Sequence, residues 1–258
     1  MVRMIDVTRP GNKTSRGNMH VLTQAQRRLE EIFTSMGFQI ATGPEVEKEF
    51  YNFDALNVPK DHPARDMQDT FFLSDLPETV LRTHCTSVDI HQMEENGAPI
   101  RVLAPGRVYR NEAIDATHEA QFYQWDGLVV GENISLANLK YVLASVLREF
   151  LEDDSIDVRL RPGFFPFVEP GVELDVSCFK CSSQDPDCSV CKGSGWIELL
   201  GAGMLHPNVL RSVNIDPEKY SALAFGPGLE RVVMLKYGID DIRMFYDGDI
   251  PFLKQFKS

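Results

Sequence analysis

Four of the chain's five cysteines fall in one stretch, CFKCSSQDPDCSVCKGSG at residues 178–195, as two CxxC pairs with six residues between them. Cys178, Cys181, Cys188 and Cys191 have the spacing of a tetrahedral four-thiolate zinc site. Four unligated thiols would read the same way in sequence. Four thiolates leave a metal no open position for water, so the role expected of it is structural. Closing such an excursion is worth ~10 kcal/mol or more of apparent binding energy. The tail CSVCKGSG also resembles half of a chaperone-type zinc repeat.

A second chemistry sits in FYQWDGL, residues 122–128. On a strand, side chains alternate with period 2, so Phe122, Gln124 and Asp126 share a face while Tyr123 and Trp125 point to a core. A ring, an amide and a carboxylate then stand in line. A buried carboxylate needs a partner, and a ligand ammonium would serve. A solvent-facing polar strand side would carry the same residues. In FFPFVEP, residues 164–170, Phe165 and Phe167 lie on one face around Pro166 and can wall an apolar slot, or simply be core. In GRVYRNE, residues 106–112, Arg110 and Glu112 end a strand and enter a loop with His118 and Glu119. Arg110 can clamp a phosphate or form a surface ion pair. GPGLERVVM, residues 226–234, opens a helix with a GxG turn and carries Arg231 in the first turns, near the positive helix end. It lacks the third glycine and the βαβ setting of a dinucleotide fingerprint. Together these residues describe a site for ATP and an aromatic amino acid.

Several elements must position them. Residues 20–36 repeat apolar side chains at helical spacing and should stop at Gly37. FQIATGPEVE is a strand broken at Pro44. Residues 100–109 and 121–130 are strands around a polar loop, and 135–152 form a second amphipathic helix. Residues 156–176 are strand-like, interrupted by Pro162, Pro166 and Pro170. WIELLGAGML is a further strand, and a last helix runs from about Gly228 through Leu235. Strands outnumber helices with few βαβ alternations, which predicts an α+β fold with an antiparallel sheet. Residues 1–17 read as an extended lead-in, and 18–258 as one domain containing the cysteine insert.

The formal net charge of −12 argues against coating nucleic acid by bulk electrostatics. No apolar run of about 18 residues is present, so no membrane span is expected. An odd cysteine count with tight CxxC pairs points to a reducing compartment, and the cytoplasm is the expected location.

The chain resembles the bacterial phenylalanyl-tRNA synthetase alpha-subunit family, a class II aminoacyl-tRNA synthetase. The resemblance runs from about residue 4 to the end, through NFDALN (52–57), DHPARDMQDTFF (61–72), LRTH (81–84), APGRVYRNE (104–112), DATHEAQF (115–122), FFPFVEP (164–170), GAGMLHPNVL (201–210), AFGPGLER (224–231) and FLKQFK (252–257). It implies a class II antiparallel sheet flanked by helices, with the cysteines as a zinc-knuckle insert. It also implies ATP- and magnesium-dependent activation of phenylalanine and its transfer to tRNA(Phe). By resemblance, Phe122 stacks on adenine, Arg110 meets the α-phosphate, and Arg231 the far end of the bent triphosphate. Glu112 lies near the adenine edge and His118 near the phosphates. Phe165 and Phe167 hold the phenyl ring, with Val168 and Ala224 at the bottom of the slot. Gln124 and Asp126 grip the ammonium, with His84 and Thr86 nearby. Glu198 is the magnesium-side carboxylate.

The chain departs from the family at Asp126, where Glu is usual, and at Cys85 and Thr86, where Thr-Ser is usual. Gln68 replaces a usual Trp, and Pro227 stiffens the turn before Arg231. All touch the amino-acid side of the site. The family's N-terminal coiled coil is missing from this sequence, and no anticodon-binding domain follows Lys257. The resemblance therefore implies a beta subunit, in an (αβ)₂ assembly. A relative that binds an amino acid or adenylate without charging tRNA is the alternative. A zinc-knuckle interaction protein would need all those segments to be mere core.

Overall fold

Alternation along residues 121–131 sends Trp125 and Val129 into one apolar cluster and Leu128 and Val130 into another, so the strand they form separates two cores. The computed structural model describes residues 8, 17–65, 70–178, 181, 185–188 and 190–256. Gln68, Lys257 and most of the N-terminal lead-in lie outside the described residues.

In chain order the elements are α1 (Val21–Ser35), β1 (Gln39–Ile40), β2 (Val46–Lys48), α2 (Glu49–Asn52), β3 (Thr79–Leu81), α3 (Thr86–Asn96), β4 (Ile100–Tyr109) and β5 (Gln121–Gly131). They continue with α4 (Leu136–Leu151), β6 (Val158–Phe165), β7 (Val168–Ser177), β8 (Trp196–Leu205), α5 (Pro207–Ser212), β9 (Ser221–Phe225), α6 (Leu229–Tyr237) and α7 (Ile250–Leu253). The expected helices and strands are present. The helix after Gly228 is not the last, because α7 follows it.

Seven strands form one sheet in the order β1-β4-β5-β9-β8-β7-β6, and β2 pairs β3 apart from it. Only β1 and β4 run parallel; every other pair in the large sheet is antiparallel. The prolines fit this order. Pro162 lies on the edge strand β6, where proline is tolerated within a sheet. Pro166 sits in the β6–β7 hairpin turn, between Phe165 and Val168, which face each other. Phe165 and Phe167 therefore meet across a turn, not along one strand.

Helices α1, α4 and α6 cover one face of the sheet through Leu29, Phe33, Leu143, Leu147, Val232 and Val233. Helices α3 and α5, with Phe53, Leu56 and Val58, cover the other. Helix α1 ends where expected: Met36 caps it and Gly37 takes φ +84°, a left-handed position that favours glycine. A buried Glu230 ties the C-terminal segment to this frame. Its Oε1 accepts from the Tyr123 backbone N–H at 2.8 Å and from the Tyr246 hydroxyl, while Oε2 has no hydrogen-bond partner.

Burial outweighs the hydrogen bonds from Tyr246 and the backbone and raises the Glu230 carboxyl from near 4.5 to about 7. Between those values the folded chain holds a proton that the unfolded chain has lost, so this group costs stability as pH rises toward 7. Glu230→Gln is therefore expected to change the melting temperature little at pH 4.5. At pH 8 it should stabilise by up to about 3 kcal/mol, the free energy of the avoided ionisation. Thermal denaturation at both pH values checks this, and a pH-independent difference refutes it.

Candidate active site

On the face of the sheet shared with α3, a cavity of about 470 Å³ opens between β5, β9, the start of α3 and the β6–β7 hairpin. Of the residues singled out from sequence, His84, Thr86, Arg110, Glu112, Gln124, Asp126, Phe165, Phe167 and Ala224 line it. Its far end is apolar. The rings of Phe165 and Phe167 stack with centroids 6.0 Å apart, and Ala202, Ala224 and Phe225 complete the wall. A Cβ on Gly201 would stand 2.5 Å from the Phe165 ring, so glycine there lets the ring lie against β8.

The near end is polar. Asp126 is 2% exposed; its Oδ2 accepts from the Thr86 hydroxyl, and its Oδ1 has no hydrogen-bond partner among the described residues. Burial raises its carboxyl to about 7, against the lowering effects of Thr86, Arg82 and Arg110. The Gln124 amide is spent on the protein. Its Oε1 accepts from the Cys85 N–H at 3.0 Å, and its Nε2 donates to the Gly226 carbonyl at 2.7 Å. Gln124 thus fixes the start of α3 and the β9–α6 turn around the cavity. A Cβ on Gly226 would fall 2.0 Å from Asp126 Oδ1, which makes the backbone approach there specific to glycine. Burial, then the Arg110 charge, lowers His84 to about 3, so it is a neutral imidazole. Burial likewise raises the Cys85 thiol, which stays protonated.

Arg110 stands at the cavity mouth. Its Nε donates to the Thr83 carbonyl at 3.2 Å, and Glu112 lies 3.9 Å from its Nη1. Its guanidinium carbon sits 5.1 Å from the Phe122 ring centroid. Phe122 is half-buried beside the Gly228 turn that opens α6, outside the cavity. One arginine therefore joins the cavity to an aromatic platform beyond it.

Besides Phe122, four of the expected residues lie outside the cavity lining. Arg231 is exposed on the first turn of α6 and donates to the Glu198 carbonyl at 2.9 Å. The Glu198 carboxylate is taken up by Arg161 at 3.1 Å. His118 is exposed and bonded to Asp115, whose carboxyl is lowered by the Thr117 N–H, His118 and the Thr117 hydroxyl. Val168 is buried beneath Gly203. Conversely, Asp89 lines the cavity and was not singled out from sequence. Its signal was its place three residues beyond Thr86, on the same side of a helix.

The four cysteine sulfurs lie within 4.8 Å of one another, a group that could hold a metal ion. Cys178 and Cys188 are 3.9 Å apart and Cys181 and Cys191 3.5 Å, near the ~3.8 Å edge of a tetrahedron with metal–sulfur bonds of about 2.3 Å. Desolvation opposes ionisation of Cys181, but hydrogen bonds from the Asp185 backbone and the other three thiols bring it to about 6. The donor set therefore fits a soft metal. Cys178, Cys188 and Cys191 are buried in the same apolar cluster as Val176 and Ile197.

Residues 4–256 match the family model described as tRNA synthetases class II core domain (F), and the fold is that of this class. Pyrrolysyl-tRNA synthetase from Desulfitobacterium hafniense shares the fold with a TM-score of 0.66 at 18% identity, over 92% of this chain and 77% of that one. Within the class, this chain belongs to the phenylalanine–tRNA ligase alpha-subunit family. It is 52% identical to the alpha subunit of Streptococcus uberis over 98% of this chain and 72% of that protein. It is 54% identical to that of Listeria monocytogenes serotype 4a, with the same coverage of each. Among the described residues, no helix is long and apolar enough to cross a membrane.

Proposed function

We propose that the chain activates phenylalanine with ATP and passes it to tRNA(Phe), working with a phenylalanyl-tRNA synthetase beta subunit in an (αβ)₂ assembly in the cytoplasm. The observation that carries this is Arg110, which touches both the cavity and the Phe122 platform. The phenyl ring enters the slot walled by Phe165, Phe167 and Ala224. The ammonium meets Asp126 and Thr86 beside the neutral His84. Adenine stacks on Phe122 near Glu112, and the α-phosphate comes to Arg110, where the amino acid's carboxylate can reach it. A carboxylate oxygen attacks the α-phosphorus and pyrophosphate leaves; the ribose hydroxyl of the tRNA then attacks the aminoacyl carbonyl, and AMP leaves. Positioning and charge stabilisation supply the catalysis.

Arg231 and His118, both exposed, reach the outer phosphates. Val168 backs the slot from beneath. Magnesium accompanies the triphosphate, whose charge it screens, with Glu198 as its protein carboxylate once that side chain leaves Arg161. Zinc held by Cys178, Cys181, Cys188 and Cys191 closes the insert between β7 and β8.

ATP–pyrophosphate exchange by the purified chain, with each amino acid in turn and with and without the beta subunit, tests this. Exchange with phenylalanine alone is the expected result. No exchange with any amino acid, with partner and magnesium present, would favour a relative that does not charge tRNA.

A further inference from the structure

The cavity has more negative charge at its polar end than one ammonium explains. Asp89 is 2% exposed and lines the cavity, yet among the described residues neither of its carboxyl oxygens has a hydrogen-bond partner. Asp126, on the adjoining strand, also leaves one oxygen unpartnered. Thr86 links the two: its hydroxyl bonds Asp126, and Asp89 follows it by three residues on α3. Two residues that line the same cavity thus hold three buried carboxyl oxygens without a partner among the described residues. Buried carboxyl oxygens without partners are costly in a purely structural role.

The surroundings define how that charge is balanced. Arg82 is buried and committed to the carbonyls of Arg107, Gly43 and Pro44, so it supplies field but no hydrogen bond to the pair. Arg110 and Glu112 stand at the mouth, and His62 and neutral His84 on the side wall. Cys85, at the start of α3, keeps its proton. The β6–β7 hairpin and β9 contribute only apolar side chains or glycine. Burial, and then the neighbouring Asp126, holds Asp89 well above the usual carboxylate range. An amino acid brings one ammonium to the pair and one carboxylate toward Arg110. With both aspartates ionised, those charges and the two arginines sum to zero, and Glu112 at the mouth adds one negative charge.

We propose that Asp89 and Asp126 form a two-carboxyl seat for the substrate ammonium, holding a proton between them when empty and releasing it when the cation enters. Asp89 is thus a second ammonium acceptor, and phenylalanine binding is coupled to proton release. The only bond broken is the carboxyl O–H, and its proton goes to the buffer. This rests on the functional reading given above.

The test is calorimetry of phenylalanine binding to the assembled enzyme at pH 8, in two buffers of different ionisation enthalpy. A proton released on binding reports the carboxyl pair, and its loss in Asp89→Asn assigns the effect to Asp89. The wild type is expected to release roughly one proton per phenylalanine more than Asp89→Asn does. The variant should raise the KM for phenylalanine roughly 10- to 100-fold, the scale for one charge-assisted hydrogen bond, while the KM for ATP stays within twofold. Wild type that binds phenylalanine without releasing a proton overturns the proposal, whether or not the variant folds. So does an Asp89→Asn enzyme with unchanged proton release and KM. Wild type that neither binds nor activates phenylalanine would instead sink the functional reading, and the inference with it.

Discussion

Arg110→Ala is expected to lower phenylalanine-dependent ATP–pyrophosphate exchange by roughly 10²–10³-fold, the scale for losing one preorganised donor to a developing charge. Arg110 follows directly on β4, whose pairing with β5 runs from Ile100↔Val130 to Tyr109↔Gln121. Its backbone N–H bonds the Ala120 carbonyl at 2.9 Å, which closes the polar loop behind it. The side chain is held by the Thr83 carbonyl and the Phe122 face. A guanidinium so placed needs little reorganisation when the transition state forms, which is why its loss should fall on kcat more than on the KM for phenylalanine. Arg110→Lys should recover little, because a point charge cannot reproduce the planar fork or its stacking on the ring. Pre-steady-state adenylate formation separates chemistry from binding. An alanine variant within threefold of wild type would remove Arg110 from the reaction.

Much of the frame was legible because periodicity and burial agree. The alternation in residues 121–131 gave both the strand and the face that carries Gln124 and Asp126. The apolar stripe of residues 21–33 gave α1. Helix α3 was illegible for a physical reason. Its buried positions mix polar Thr86, Ser87 and Asp89 with apolar Val88, Ile90 and Met93, so no continuous apolar stripe marks its inward face. That mixture hid Asp89, a charge among core residues. Strand β9 was implied only by the resemblance, as the strand before the Arg231 helix, because Ala222, Leu223, Ala224 and Phe225 are all buried and a strand covered on both faces shows no alternation. Gln124 was correctly placed, but strand geometry alone could not show that its amide is already committed to Cys85 and Gly226. Such commitments join residues 39 and 102 positions apart, beyond any local pattern.

Removing the metal from the cysteine site is expected to destabilise the sheet itself, not only the insert. Cys178 directly follows β7, and its N–H bonds the Gly195 carbonyl at 2.8 Å, next to the start of β8. The buried thiols pack with Val176 and Ile197, so four repelling or protonated sulfurs would loosen the end of the β7–β8 pair. The apparent binding energy of a structural four-thiolate zinc, ~10 kcal/mol or more, would be lost from the folded state. The consequence reaches α6, because the β8 carbonyl of Glu198 holds Arg231. Cys188→Ser should therefore bind less than a tenth of the zinc of the wild type, which should carry one ion per chain. It should also melt at a clearly lower temperature and lose exchange activity in step with unfolding. Elemental analysis, thermal denaturation and exchange assays measure the three effects. A wild-type chain without metal, and with a melting point indifferent to chelators, would leave the cysteines as ordinary buried thiols. Zinc loss that spares the fold and ATP–pyrophosphate exchange but abolishes tRNA charging would instead make the insert a tRNA contact. Exchange requires only the amino acid and ATP, so this pair of assays separates a support for the active site from a surface for its second substrate.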